Sequence, residues 1–233
     1  MSKIIIALDF AEPVHALDFA KQIQNKNVWV KVGLELFIKG GQHIVSSLRE
    51  MGFSVFLDLK FLDIPNTVAG AVRSCSAFDV DMITLHISGG RQMIEAAIDA
   101  RNSCSALDKA PRLIGVTLLT SMDTRDMPFV ENINAGQIAR KLALDAYAWG
   151  LDGCVCSGLE AADIRESTAT DFKIVTPGIR LQSMGDDQKR TVTPNEAVKA
   201  GSDFLVIGRP VTRSSDPLLA LQKIISSIQS SNN

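Results

Sequence analysis

Eight short apolar runs recur along the chain, separated by stretches in which apolar residues come three and four apart. The runs are KIIIALD (3–9), VWVKVG (28–33), FSVFLDLK (53–60), DMITLH (81–86), RLIGVTLL (112–119), GCVCS (153–157), FKIVTPG (172–178) and DFLVIGR (203–209). Between them, PVHALDFAKQIQ, GGQHIVSSLREM, GGRQMIEAAIDA and NAGQIARKLALDAYAWG have helical spacing. Strands that are apolar throughout and spaced by helices predict a parallel sheet covered on both faces. Eight such units in 233 residues match a closed (β/α)8 barrel, the TIM barrel, as a single domain over 1–233. A doubly wound sheet is the alternative. No Ser/Gly linker marks a boundary, and the polar end SSIQSSNN is expected to fray.

Composition narrows the partners. A hydrophobic content of 46% is ample for a sizeable core. Twenty-four Lys and Arg against 26 Asp and Glu leave a formal net charge of −2, so no global field draws in nucleic acid or an anionic membrane. An anionic ligand must therefore be held locally. No apolar run reaches membrane-spanning length, and MSKIIIALDF lacks the features of a secretory signal, so a cytoplasmic location is expected. Cys75, Cys104, Cys154 and Cys156 lack zinc or redox spacing and are expected to be buried free thiols in a reducing compartment. Dinucleotide, P-loop, HExxH and nucleophile-elbow motifs are absent.

Candidate chemistry sits where the apolar runs end. Asp9, Lys31, Asp58, Lys60, His86, Thr120 and Arg209 all fall at or just after the carboxyl ends of different runs. A helix cap or contact with water explains any one of them, but seven at one end have the layout of a barrel active site. His86, followed by SGG, reads as a hydrogen-bonded helix-entry residue. In DLKFLDIPNT (58–67), Asp58 and Lys60 are two apart and share a face in extended chain. A carboxylate beside a lysine favours the ammonium, whereas Asp58 and Asp63 repel unless cations lie between them. The stretch is a structural ion pair or an active site. In VIGRP, Gly208 and Arg209 could hold a phosphate dianion with backbone N–H groups and a guanidinium. TPGIRLQSMGDDQKR (176–190) combines Arg180 and Gln188 in a polar loop long enough to fold over a ligand.

With these residues in place the sequence resembles the orotidine 5′-phosphate decarboxylases nearly end to end. The resemblance rests on ALD with Asp9, VKVGLELF with Lys31, DLKFLDIPNT, LTSM with Thr120 and Ser121, TPGIR with Arg180, DDQKR with Gln188, and IGRP with Arg209. Leu62 stands where many bacterial members have His. The resemblance implies conversion of orotidine 5′-phosphate to UMP and carbon dioxide with no metal or cofactor. Lys60 would stabilise and protonate the carbanion, with Asp58, Lys31 and Asp63 completing an alternating array. Asp9 and Lys31 would bind the ribose, and Ser121 with Thr120 would read the pyrimidine. Gln188 would bridge base and phosphate, and Gly208 and Arg209, with Arg180 nearby, would take the phosphate. It also implies a homodimer with shared sites, in which the partner supplies Asp63 and Thr67. The alternatives are a related magnesium-dependent 3-keto-L-gulonate 6-phosphate decarboxylase and a non-catalytic phosphate-binding barrel.

Overall fold

The structure, a computed structural model, describes residues 2–24, 26–104, 110–122, 134–180 and 190–229. Each predicted apolar run contains one strand: β1 (Lys3–Ala7), β2 (Trp29–Gly33), β3 (Val55–Phe61), β4 (Met82–His86), β5 (Arg112–Val116), β6 (Gly153–Val155), β7 (Lys173–Thr176) and β8 (Phe204–Ile207). All neighbours are parallel, and β8 pairs with β1 (Lys3 opposite Phe204, Ile6 opposite Ile207) to close a barrel in sequence order. The TIM barrel is therefore the fold, and the doubly wound alternative is excluded.

Two cores account for strands without polar alternation. Ile5, Trp29, Phe56, Met82, Ile114, Val175, Phe204 and Val206 point inward and fill the barrel. Their neighbours, among them Ile4, Ile6, Val30, Val32, Val55, Leu57, Ile83 and Leu85, point outward and pack with buried residues of the helices. Period 2 is still present, but both faces are dry. Each fully buried Ile or Phe contributes on the order of 1.5–3 kcal/mol, so both parities of every strand add to stability.

The helices among the described residues begin at the carboxyl ends of the strands, where they anchor the loops. α1 (Pro13–Ile23) and α3 (Pro65–Ser76) start with proline, whose fixed φ suits the first turn. α4 spans Arg91–Cys104, after a 3-10 turn at Ile87–Gly89. α5 (Ala135–Ala148) and α7 (Pro194–Lys199) carry capping boxes, Asn134 with Gln137 and Thr193 with Glu196. α6 (Ala161–Glu166), α8 (Arg209–Thr212) and α9 (Pro217–Gln229) complete the set.

Three details differ from expectation. α2 (Leu34–Glu50) begins directly after β2, well before the segment predicted from position 40. Exposed Leu34 and Ile38 blur its apolar stripe, and Gly41, at φ 54° and ψ −147°, interrupts it. The last helical region is divided, with short α8 preceding α9. Cys75, Cys154 and Cys156 are buried free thiols, but Cys104 is exposed because it ends α4. Among the described residues, no helix is long and apolar enough to cross a membrane.

Candidate active site

A cavity of about 280 Å³ opens at the carboxyl ends of the strands. Asp9, Lys31, Asp58, Lys60, Thr120, Ser121, Arg180, Gly208 and Arg209 all line it, contributed by β1, β2, β3, β8 and the loops after β5 and β7. The predicted charged side chains form a file. Lys31 Nζ lies 3.1 Å from Asp9 Oδ1 and 3.6 Å from Asp58 Oδ2, and Lys60 Nζ lies 2.8 Å from Asp58 Oδ1. Charge alternates from the rim inward, with the Asp9 side chain 64% exposed and those of Lys31 and Asp58 only 12% and 11% exposed.

Burial opposes ionisation of the inner members, and their neighbours overcome it. Burial lowers the proton affinity of Lys31, but the charges of Asp58 and Asp9 outweigh it and hold the ammonium above the usual lysine value. Burial likewise disfavours the Asp58 carboxylate, yet the charges of Lys31 and Lys60, with hydrogen bonds from Lys60 and Thr84, hold it below the usual aspartate value. Removing one member leaves a desolvated charge behind, a loss typically of about 3–5 kcal/mol for buried pairs.

The backbone at Lys60 is unusual. The β3–β4 register runs from Leu57 opposite Ile83 to Phe61 opposite Leu85, so Asp58, Leu59 and Lys60 face Thr84 alone. Lys60 has φ 52°, in the left-handed region, which costs a side-chain-bearing residue roughly 1–2 kcal/mol. The shared face of Asp58 and Lys60 therefore comes from a bulge and not from simple extension. Thr84, absent from the sequence-predicted site, is fully buried in this gap. Its Oγ1 accepts from the Lys60 backbone N–H at 2.9 Å and donates to Asp58 Oδ1 at 3.0 Å.

The far side of the cavity is built by the fifth and seventh loops. Gly178 has φ 78°, a conformation suited to glycine, and its carbonyl accepts from Val192 N–H at 3.3 Å. Arg180 is buried, its backbone N–H donates to Val192 O at 3.0 Å, and its Nη1 donates to Ile179 O at 2.9 Å. Arg190 pairs with Glu160 at 2.7 Å and donates to Leu119 O at 3.2 Å, tying the end of the seventh loop to the chain just before Thr120. Gln188 and the rest of 181–189 lie outside the described residues.

Phe56, Val116, Leu118, Val155, Val175, Pro177 and Val206 supply an apolar wall that sequence reasoning missed. Its signal was the inward parity of the strands, hidden because both parities are apolar. Asp63 and Thr67 do not line the cavity and are exposed, and Asp63 Oδ1 accepts from Ile64 N–H at 2.6 Å. His86 ends β4 outside the lining. Burial and the charge of Lys60 hold its imidazole below the usual histidine value against the opposing pull of Asp58. Among the described residues, no group of three or more His, Cys, Asp or Glu is placed to hold a metal ion.

Chemically, this is a small, partly apolar chamber with a row of fixed ions on one side and Arg209 with the Gly208 backbone at another strand end. Comparisons with known proteins bear on the family and the fold. The sequence model of the "Orotidine 5'-phosphate decarboxylase / HUMPS family" matches residues 2–224. A protein of Maridesulfovibrio salexigens named orotidine 5'-phosphate decarboxylase is 47% identical over 99% of this chain and all of its own length. One of the same name from Chromobacterium violaceum is 49% identical over 96% of this chain and 90% of its own. The crystal structure of orotidine 5'-phosphate decarboxylase from Lactobacillus acidophilus superposes with a TM-score of 0.86 at 33% identity, covering 98% of this chain and 99% of that one. Agreement in sequence over nearly the whole length, and in fold, leads to one conclusion: the chain belongs to the orotidine 5'-phosphate decarboxylase / HUMPS family.

Proposed function

We propose that the protein decarboxylates orotidine 5′-phosphate to UMP and carbon dioxide in pyrimidine biosynthesis. The observation that carries this reading is the alternating file Asp9–Lys31–Asp58–Lys60 along a chamber that also contains Arg209. Loss of carbon dioxide leaves an electron pair on a ring carbon that no adjacent carbonyl can delocalise. A cation already in place stabilises that charge without reorganising solvent as it develops. Lys60, held by Asp58, is that cation, and it then delivers a proton to the same carbon. Asp58 faces the departing carboxylate, and its position between two lysines keeps it ionised at neutral pH. The apolar wall from Val155, Val175 and Pro177 receives the pyrimidine, whose polar edge Ser121 and Thr120 read. Asp9 and Lys31 bind ribose hydroxyls. Arg209 and the Gly208 backbone hold the phosphate with Arg180 nearby, and Gln188 bridges base and phosphate. Binding energy from the remote phosphate can thereby position the reacting ring.

The working unit of this proposal is a cytoplasmic homodimer with shared sites. Asp63 and Thr67 lie outside their own chain's cavity, and Asp63 is flanked by Leu62 and Ile64, exposed at 56% and 67%. A second copy that covers these apolar residues would carry Asp63 and Thr67 into its neighbour's site, where Asp63 extends the alternating array. The three buried free thiols fit a reducing compartment.

The test is to follow the absorbance of orotidine 5′-phosphate with purified protein in EDTA. Turnover that persists in the chelator is expected. Absence of turnover, or turnover restored only by added magnesium, overturns the reading in favour of the metal-dependent keto-sugar-phosphate chemistry or a binding function.

A further inference from the structure

We propose that Thr84 is a positioning residue for the decarboxylation, fixing Lys60 at both of its ends. The inference rests on the functional reading above, but its structural basis is independent of the substrate. Thr84 is the single β4 residue opposite the three-residue bulge Asp58–Lys60, where the regular ladder between β3 and β4 is interrupted. Its hydroxyl has one proton. Its oxygen accepts from the Lys60 N–H at 2.9 Å, and since an ionised carboxylate can only accept, that proton goes to Asp58 Oδ1 at 3.0 Å. Asp58 Oδ1 also receives the Lys60 ammonium at 2.8 Å. The contacts close a ring: Lys60 backbone to Thr84, Thr84 to Asp58, and Asp58 back to the end of the Lys60 side chain.

The ring has two consequences. It replaces the ladder partner that the Lys60 N–H loses in the bulge, so a left-handed backbone at φ 52° persists in a half-buried strand end. It also fixes the orientation of the Asp58 carboxylate, leaving Oδ2 toward Lys31. A valine at this position fills the same volume but can neither accept from Lys60 nor donate to Asp58. The titratable groups around Asp58 are Lys31, Lys60 and, from the end of β4, His86, whose imidazole burial and Lys60 keep below the usual histidine value; the hydroxyl adds to the lysines' stabilisation of the ionised Asp58. Loss of the hydroxyl therefore raises the proton affinity of Asp58.

The experiment compares wild type, Thr84→Val and Thr84→Ser by kcat, KM and the pH profile for orotidine 5′-phosphate, with UMP binding as a check on the folded site. In Thr84→Val, kcat is expected to fall roughly tenfold to a hundredfold, on the scale of one buried hydrogen bond to a charged group. KM is expected to stay within about threefold, since phosphate and ribose contacts are untouched. The acid limb of the profile is expected to move to higher pH relative to wild type, and Thr84→Ser to restore both rate and limb. Wild-type kcat in Thr84→Val, or equal losses in the Val and Ser variants, overturns the proposal, because the hydroxyl is then irrelevant or only packing matters. If Thr84→Val does not fold, the same readings are made on Thr84→Cys, a poorer donor of similar shape, with the same criteria. An inactive wild-type protein overturns the functional reading instead. A crystal structure of the variant then decides the present one: an unchanged Lys60 backbone and Lys60–Asp58 contact would overturn it.

Discussion

At the amino ends of the strands, Asp81, Asp152 and Asp203 each stand one residue before β4, β6 and β8. Their carboxylates accept the backbone N–H of Val55, Leu113 and Ile174 at 2.8, 2.7 and 2.8 Å. Each Asp backbone N–H donates back to the carbonyl of the same residue. Arg49, Arg101 and Arg165, from α2, α4 and α6, close each carboxylate with a guanidinium. These clips recur before β4, β6 and β8, with each carboxylate's acceptors taken up by backbone and one guanidinium, and Arg49 also reaches the exposed Asp79 at 3.0 Å. At the carboxyl ends, Lys31 is shared between Asp9 and Asp58, and Asp58 between Lys31 and Lys60. That file faces a cavity and includes a left-handed lysine. The contrast teaches how to separate structural from chemical charge. A clip whose hydrogen bonds end on backbone serves the fold, whereas a chain of ions along a cavity wall keeps groups available to a ligand.

The largest expected effect breaks the open end. Lys60→Ala should stay folded and bind UMP while losing nearly all decarboxylation. Retention of more than about a tenth of the rate, roughly 1.4 kcal/mol of barrier, would remove Lys60 from its role. Mixing that protein with Asp63→Ala tests whether the file crosses between subunits. After exchange under mild denaturant, random pairing should restore roughly a quarter of the wild-type sites, because about half the dimers are mixed and each has one intact site of two. No recovery despite demonstrated exchange would place Asp63 in its own chain's site or in none.

Arg209→Ala should raise KM for orotidine 5′-phosphate by roughly a hundredfold, the scale of one charge-assisted contact to a dianion, and hardly alter the much weaker turnover of orotidine. Equal effects on both substrates would move the phosphate site elsewhere. At the closed end, Asp152→Ala should leave kcat and KM unchanged. It should cost about 2 kcal/mol of stability, or roughly 4–8 °C in Tm, by stranding Arg101 and the Leu113 N–H. A matching loss of kcat at full folding would erase the distinction between the two ends.

The smallest effect isolates backbone strain. Lys60→Gly and Lys60→Ala both remove the ammonium, but only glycine accepts φ 52° freely. Lys60→Gly should be the more stable by about 1 kcal/mol, roughly 2–4 °C in thermal unfolding, reversing the usual order of the two residues in a strand. If alanine is equal or better, the left-handed backbone does not persist without the lysine.

The barrel was legible in the sequence because its signals are local. An apolar run and a helical spacing can each be read within a dozen residues, and eight repeats leave few folds. The charged file was legible for a related reason: Asp9, Lys31, Asp58 and Lys60 each interrupt or follow an apolar run where water or chemistry must begin. The start of α2 was obscured by exposed Leu34 and Ile38, whose apolar character does not follow the core-facing stripe. The cavity wall was hidden at Val155, Val175 and Val206, because barrel closure decides which apolar parity faces inward. Thr84 lies 24 residues from Lys60 and is an ordinary strand threonine until a bulge sets three residues of β3 against it. The amino-end clips likewise join residues about 30 to 50 positions apart. The sequence by itself determined the kind and order of the elements and which strand ends carry charge, since those depend on neighbours along the chain. Tertiary structure alone decided which atoms meet across strands, because hydrogen-bond partners and inward parity exist only once the sheet has closed on itself.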